Sequence, residues 1–344
     1  MFLEFYGLRE QPFGVTPDPR YLYLGPAHRE ALASLYYGIE ANRGFLSLIA
    51  RPGMGKTTLL FHLLAKFDRS ARTAFLFQTQ CTSREFMQFL LAEIGIDTES
   101  HDFVRMHEQF NRCLVQEARA GKRFIVVIDE AQNLDASVLE TVRLLSDFET
   151  PQAKLLQIVL VGQPGLADKL ASPSLVQLRQ RITSVSGLNP LVPEEVGRFI
   201  DHRLHVAGYR GNVPLFTKEA QELIAQVSEG IPRQINNYCF HSLSLACAMK
   251  KKAVDISMVR EVMHDLDITR FVSEVGTSGN RHQGENADPY QPVQEVAGAA
   301  KDYARSNVST KGAAPEYLSP AEAIEHMRDV ARLLHNWQGR RNSA

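Results

Sequence analysis

The 344-residue chain has almost no charge imbalance: 38 basic against 39 acidic side chains leave a formal charge of −1, with a pI near 6.8. That balance disfavours a strongly basic nucleic-acid binder, although it is compatible with a local basic patch. Cysteine is scarce. Cys81, Cys113, Cys239 and Cys247 lie far apart or in apolar helical surroundings, with no C-x-x-C spacing. This argues against a disulfide frame or a zinc site and for reduced core thiols. The 11 histidines show no H-E-x-x-H or comparable ligand spacing, so no protein-held metal site is expected. Long apolar runs are missing too: none approaches the roughly 18 residues of a membrane span. Met1-Phe2-Leu3-Glu4 does not read as a signal peptide. The expectation is a soluble, cytoplasmic protein, long enough for two globular domains and a tail.

What the chain does have is a phosphate-binding turn. Phe45-Leu46-Ser47-Leu48-Ile49 reads as a buried strand and Leu59-Leu60-Phe61-His62-Leu63-Leu64 as a helix packed on a sheet. Between them lies Ala50-Arg51-Pro52-Gly53-Met54-Gly55-Lys56-Thr57-Thr58. A strand, a glycine-bearing turn and a helix start together aim free N–H groups and the positive end of a helix dipole at an anion. The stretch Pro52, Gly53, Met54, Gly55, Lys56, Thr57 and Thr58 is therefore expected to hold the phosphates of a nucleotide. Gly53 and Gly55 let the backbone bend around the phosphates, and Lys56 reaches the β and γ phosphates. Thr57 supplies a hard oxygen for magnesium, and Thr58 lies near the α phosphate. Ala50 occupies a position where the P-loop pattern has glycine, so its backbone is expected to be extended and unstrained.

A second acidic feature follows the apolar strand Arg123-Phe124-Ile125-Val126-Val127-Ile128, which ends in Asp129-Glu130. Carboxylates at the C-terminal end of a parallel strand sit where open α/β sheets place ligands. Asp129 is expected to orient magnesium and Glu130 to polarise the attacking water. Gln163 ends another apolar strand, Leu155 to Val161, where it is placed to hold that water or touch the γ phosphate. Arg179 and Arg181 are candidates for an arginine finger, Arg181 being preferred.

The flanking segments differ in texture. Phe5 to Tyr23 is rich in aromatics and proline and predicts an ordered loop over the domain surface, close to the adenine side of the site. Ser83 is read as the cap of a helix. From Pro193 onward only helical periodicity appears, with Arg233 on the turn Gly230-Ile231-Pro232-Arg233 and a solvated helix end at Lys250-Lys251-Lys252. After about Ser273 the apolar periodicity stops. This predicts a disordered linker over 271–318, then an amphipathic helix over 319–338 opened by the capping box Ser319-Pro320-Ala321-Glu322 and carrying the single tryptophan, Trp337. Residues 1–190 form the expected nucleotide-binding core and 191–270 a small helical lid.

The P-loop, Asp129-Glu130, Gln163, the paired arginines and Arg233 together resemble an AAA+ ATPase. Phe5-Tyr6-Gly7-Leu8, Pro12-Phe13, Thr16-Pro17-Asp18-Pro19, Leu144-Leu145-Ser146-Asp147-Phe148-Glu149-Thr150 and Leu160-Val161-Gly162-Gln163-Pro164 resemble, more narrowly, the ExeA-like (general secretion pathway A) ATPases. The resemblance covers roughly residues 1–270 and implies an α/β fold. Its parallel P-loop sheet has helices on both faces, followed by an all-helical lid. It places Lys56 and Thr57 at the Walker A position and Asp129 and Glu130 at Walker B. Gln163 falls at sensor 1, Arg181 at the finger and Arg233 at sensor 2. ATP and Mg²⁺ are the implied cofactors. Gly165 departs from the pattern by standing where an acidic residue is common. The implied function is ATP hydrolysis driving assembly of a bacterial secretion, pilus or exopolysaccharide export system. Homo-oligomers with a finger in trans, and a protein partner contacted through the 319–337 helix, go with it. A DNA-bound accessory ATPase of the transposition or initiator type is the alternative.

Overall fold

The computed structural model describes residues 2–77, 80–96, 102–149 and 154–266. The expected linker and the 319–338 helix lie outside the described residues. In chain order the regular elements are α1 (Phe2–Tyr6), α2 (Pro26–Glu40), β1 (Phe45–Ile49), α3 (Lys56–Leu64), β2 (Ala71–Leu76), α4 (Ser83–Glu93), α5 (Phe103–Arg119) and β3 (Arg123–Ile128). They continue with α6 (Ala136–Leu145), β4 (Gln157–Gly162), α7 (Pro164–Ala171), α8 (Val176–Arg181) and β5 (Ile182–Gly187), then α9 (Pro193–Val206), α10 (Lys218–Val227), α11 (Pro232–Ala248) and α12 (Ile256–Asp265).

The strands form one parallel sheet in the order β2-β3-β4-β1-β5. Runs such as Phe124 to Ile128 and Ile158 to Val161 are apolar at every position because a parallel sheet is covered on both faces. Alternation then sorts the side chains. Leu46, Leu48, Ile125, Val127, Val159 and Val161 face α2 and α3, while Phe124, Val126, Ile128, Ile158 and Leu160 face α4, α5 and α6. The strand order matters for chemistry, since β3, β4 and β1 are neighbours and all point the same way. Their C-terminal ends carry Asp129, Gln163 and the P-loop, so the three motifs converge on one edge of the sheet.

Helices α9 to α12 build a separate apolar cluster around Val196, Ile200, Leu204, Ile224, Ile235 and Leu243. Most aromatics of the N-terminal segment join this cluster, while Leu22 and Leu24 pack on the sheet-domain cluster. Phe2, Tyr6, Leu8, Phe13 and Tyr21 are buried in the helical cluster, with Phe2 edge-on to Phe240 at 5.8 Å and Phe13 edge-on to Phe216 at 6.0 Å. The expected loop is also partly helical: α1 precedes the first proline, and Pro19–Tyr21 forms a 3₁₀ turn capped by Asp18. The cap of α4 is Thr82, one residue before the expected Ser83, and it forms a reciprocal capping box with Glu85. Lys250 takes a left-handed backbone (φ 57°) and Lys252 stacks on the Phe5 ring at 4.2 Å, so this run closes α11 and packs on the N-terminal segment. Among the described residues no helix is long and apolar enough to cross a membrane.

Candidate nucleotide-binding site

The P-loop begins on unstrained backbone. Ala50 is outside the positive-φ residues and continues the sheet by donating its N–H to the Gly162 carbonyl at 3.0 Å, which is the conformation an alanine there requires. The left-handed positions are Gly53 (φ 78°) and Gly55 (φ 82°), the latter capping α3. At Gly55 the constraint is conformational, because a Cβ there would meet nothing within 4 Å. At Gly53 it is also spatial: a Cβ would lie 2.8 Å from Arg233 Cβ and 3.2 Å from Ile231 Cγ2. Through this gap the Arg233 N–H donates to the Gly53 carbonyl at 3.1 Å, so the first turn of α11 rests on the phosphate loop.

Lys56 is 6% exposed and folds back, donating from Nζ to the carbonyls of Ala50 at 3.1 Å and Arg51 at 3.3 Å. Burial lowers its pKa, against the opposing charges of Glu130 and Asp129. Thr57 donates from Oγ1 to Asp129 Oδ2 at 2.9 Å. Asp129 is 4% exposed; burial raises its pKa, resisted by the Thr57 hydroxyl and by the Glu130 N–H that donates to Oδ1 at 2.9 Å. Among the described residues Asp129 makes no ion pair. A desolvated carboxylate and a hydroxyl, side by side and without a cation, are a hard oxygen donor set that fits magnesium; a buried ammonium held only by main-chain carbonyls fits a phosphate. The residues present therefore suit a magnesium nucleotide.

Glu130 has a left-handed backbone (φ 52°), a conformation that a non-glycine residue keeps only where its surroundings fix it. Its Oε2 accepts from Gln132 Nε2 at 2.6 Å and from Gln163 Nε2 at 3.0 Å. Burial pushes this carboxyl up, but the two amide donors with Lys56 and Arg233 outweigh it, and the net shift is downward. The group is thus held ionised.

Lys56, Thr57, Thr58, Glu130, Gln163 and Arg233 line one cleft. Arg181 lies elsewhere. It is the last residue of α8, where it donates to Ser146 Oγ at 2.9 Å and pairs with Asp147, just beyond α6. Arg179 donates to the Ala171 carbonyl at 3.1 Å.

The far wall of the cleft holds residues that motif reading passed over. His28 on α2 is 3% exposed. Its Nε2 donates to the Met54 carbonyl at 3.3 Å, a contact that requires the Nε2–H tautomer because a carbonyl only accepts. Its Nδ1 and Asn236 Oδ1 are buried without partners. Arg203 donates to the Pro12 carbonyl at 2.6 Å and lies 4.8 Å from the Tyr21 ring, binding the N-terminal segment to α9; burial brings its pKa down to about 10. Gln132 was visible only as the residue two beyond Glu130, in the 3₁₀ turn Ala131–Asn133.

A parallel sheet in this strand order, a lysine and threonine on a glycine turn at one strand tip, paired acids two strands away and a helical lid resting on the turn make up the fold of an AAA+ P-loop domain. The sequence matches the AAA domain family over residues 39–170. It is 39% identical over 255 residues to the General secretion pathway protein A of Aeromonas hydrophila, covering 72% of this chain and 45% of that protein. The chain is also 30% identical to an uncharacterized HTH-type transcriptional regulator of Methanocaldococcus jannaschii, over 66% of this chain and 53% of that one. It therefore spans about half the length of the curated relatives it matches. The Cdc6p structure from Pyrobaculum aerophilum superimposes with a TM-score of 0.58 at 17% identity, covering 74% of this chain and 70% of that one, a likeness of fold. The chain thus carries an AAA domain and is similar, along most of its own length, to General secretion pathway protein A.

Proposed function

We propose that the chain binds MgATP in this cleft and hydrolyses it to drive assembly of a bacterial secretion, pilus or exopolysaccharide export system, at the cytoplasmic face of the inner membrane through its partners. One observation carries the catalytic part: Thr57 Oγ1 and Asp129 Oδ2 lie 2.9 Å apart, so the phosphate loop and the acidic strand tip share one point in space. Bound magnesium supplies charge neutralisation on the phosphate oxygens, and Thr57 and Asp129 are the residues to hold it. Lys56 leaves its main-chain carbonyls for the phosphates. Glu130, held ionised, takes a proton from the attacking water. Gln163 fixes that water from the neighbouring strand, and Arg233 carries the lid's response to the phosphates through its contact with Gly53. Arg181, away from its own cleft, is the residue we assign to complete the site of a neighbouring copy, a role supported only by its match to the finger position.

The assembly role rests on the likeness to General secretion pathway protein A. The alternative of a DNA-bound ATPase gains nothing from Lys250 to Lys252, which serve the end of α11 and the N-terminal segment. Alanine at Lys56 is expected to abolish ATP binding. Glutamine at Glu130 is expected to keep ATP bound while turnover falls by roughly 10²-fold or more. Calorimetry and a phosphate-release assay distinguish the two, and full turnover in the Glu130→Gln protein would refute the base assignment.

A further inference from the structure

We infer that Gln132 is a positioning residue for hydrolysis, holding Glu130 to the tip of β4 so that one carboxylate oxygen stays available for water. The inference rests on Glu130 being the base, as proposed above.

The side chain of Gln132 uses both ends of its amide. Nε2 donates to Glu130 Oε2 at 2.6 Å, and Oε1 accepts the Gln163 N–H at 3.0 Å. Its carbonyl oxygen in turn accepts from Lys169 Nζ on α7 at 2.5 Å, and Lys169 also donates to the Leu134 carbonyl at 2.7 Å, fixing the main chain of this turn. Space for the amide comes from Gly162, where a Cβ would lie 2.7 Å from Gln132 Oε1. A primary amide donates to a carboxylate from its nitrogen while its oxygen, about 2 Å away, accepts from the main-chain N–H just past the tip of the next strand. Methionine matches its length and does neither.

The consequence falls on Glu130. Both amides, from Gln132 and Gln163, converge on Oε2, and among the described residues no hydrogen bond reaches Oε1. Gln163 lines the cleft and is expected to turn toward the substrate, whereas Gln132 lies behind it, its oxygen held by the Gln163 N–H. Gln132 is thus the hold that persists through turnover. Correct orientation of a base matters on this scale, since a displacement near 1 Å costs about 10²-fold in rate.

The test compares Gln132→Met, Gln132→Glu and Glu130→Gln in the full chain. For Gln132→Met we expect kcat to fall roughly 10- to 100-fold, with KM and the calorimetric ATP affinity within about twofold of the parent. Gln132→Glu can still accept the Gln163 N–H but has nothing to donate to Glu130, so its kcat is expected to fall as well. Parent-like kcat in Gln132→Met overturns the inference. So does recovery of kcat in Gln132→Glu, which would assign the role to the Gln163 contact alone, and so does a loss of ATP affinity matching the loss of kcat in Gln132→Met. Full turnover in Glu130→Gln removes the base assignment and this inference with it. An inactive Glu130→Gln beside an active Gln132→Met removes only the inference.

Discussion

His28 shows what a single buried side chain contributes. It joins α2 to the phosphate loop through the Met54 carbonyl, and burial keeps its pKa below the usual value of 6.5, although the charge of Glu195 opposes this. The unfolded chain binds a proton there more readily than the folded one. The stability tied to neutral His28 is therefore complete above about pH 6.5 and is lost as pH falls from there through the depressed folded value. His28→Asn is accordingly expected to shrink the difference in Tm between pH 7.5 and pH 5.5, measured by thermal unfolding; an undiminished difference contradicts this. Legibility divides at the same scale. Lys56, Thr57, Asp129 and Glu130 stood out because each belongs to a pattern of residues adjacent in the chain. His28, Gln132 and Arg203 did not, because their partners, Met54, Gln163 and Pro12, come from other elements and only the fold brings them close.

Among the elements, the loop before α11 transmits the lid's position to the site. Gly230 (φ 68°) accepts the Leu191 N–H at 2.9 Å, and a Cβ on Gly230 would collide with the Leu191 carbonyl. Two residues later α11 begins, and its Arg233 N–H reaches Gly53. Gly230→Ala is expected to cost about 1–2 kcal/mol from the left-handed backbone alone, lowering Tm by about 2 °C or more, and to weaken ATP binding through Arg233. Parent-like Tm and affinity would contradict it. Strands were largely legible as elements, since runs such as Ile125 to Ile128 admit little else. Their edges were less so. Helix α7 went unread because Pro164, which looks like a stop after Gly162-Gln163, sits at the first helical position, where its missing N–H costs nothing. The α4 cap shifted by one residue because Thr82 and Ser83 are both good caps and only Thr82 stands three residues before Glu85.

For the whole molecule, the main departure from expectation is the N-terminal segment. Proline and aromatic content indicated an ordered cover for the sheet domain, yet its aromatics complete the apolar interior of the helical lid, and Tyr21 to Tyr23 also wall the cleft. Composition cannot name the surface an aromatic packs against; that depends on which side of the cleft the chain enters. Phe13, 2% exposed, is expected to cost about 3–5 kcal/mol on truncation to alanine. A loss below about 1 kcal/mol in chemical denaturation would mean that the segment is peripheral to the lid.

The central claim is that one magnesium nucleotide is shared by the phosphate loop and the acidic strand tip. A double-mutant cycle of Thr57→Ala and Asp129→Asn, reading ATP affinity by calorimetry with magnesium and with chelator, addresses it directly. The account predicts that either substitution removes most of the magnesium-dependent affinity and that the pair together costs little more than one alone, a coupling of about 1 kcal/mol or more. Additive losses, or magnesium dependence surviving in both single variants, would contradict it.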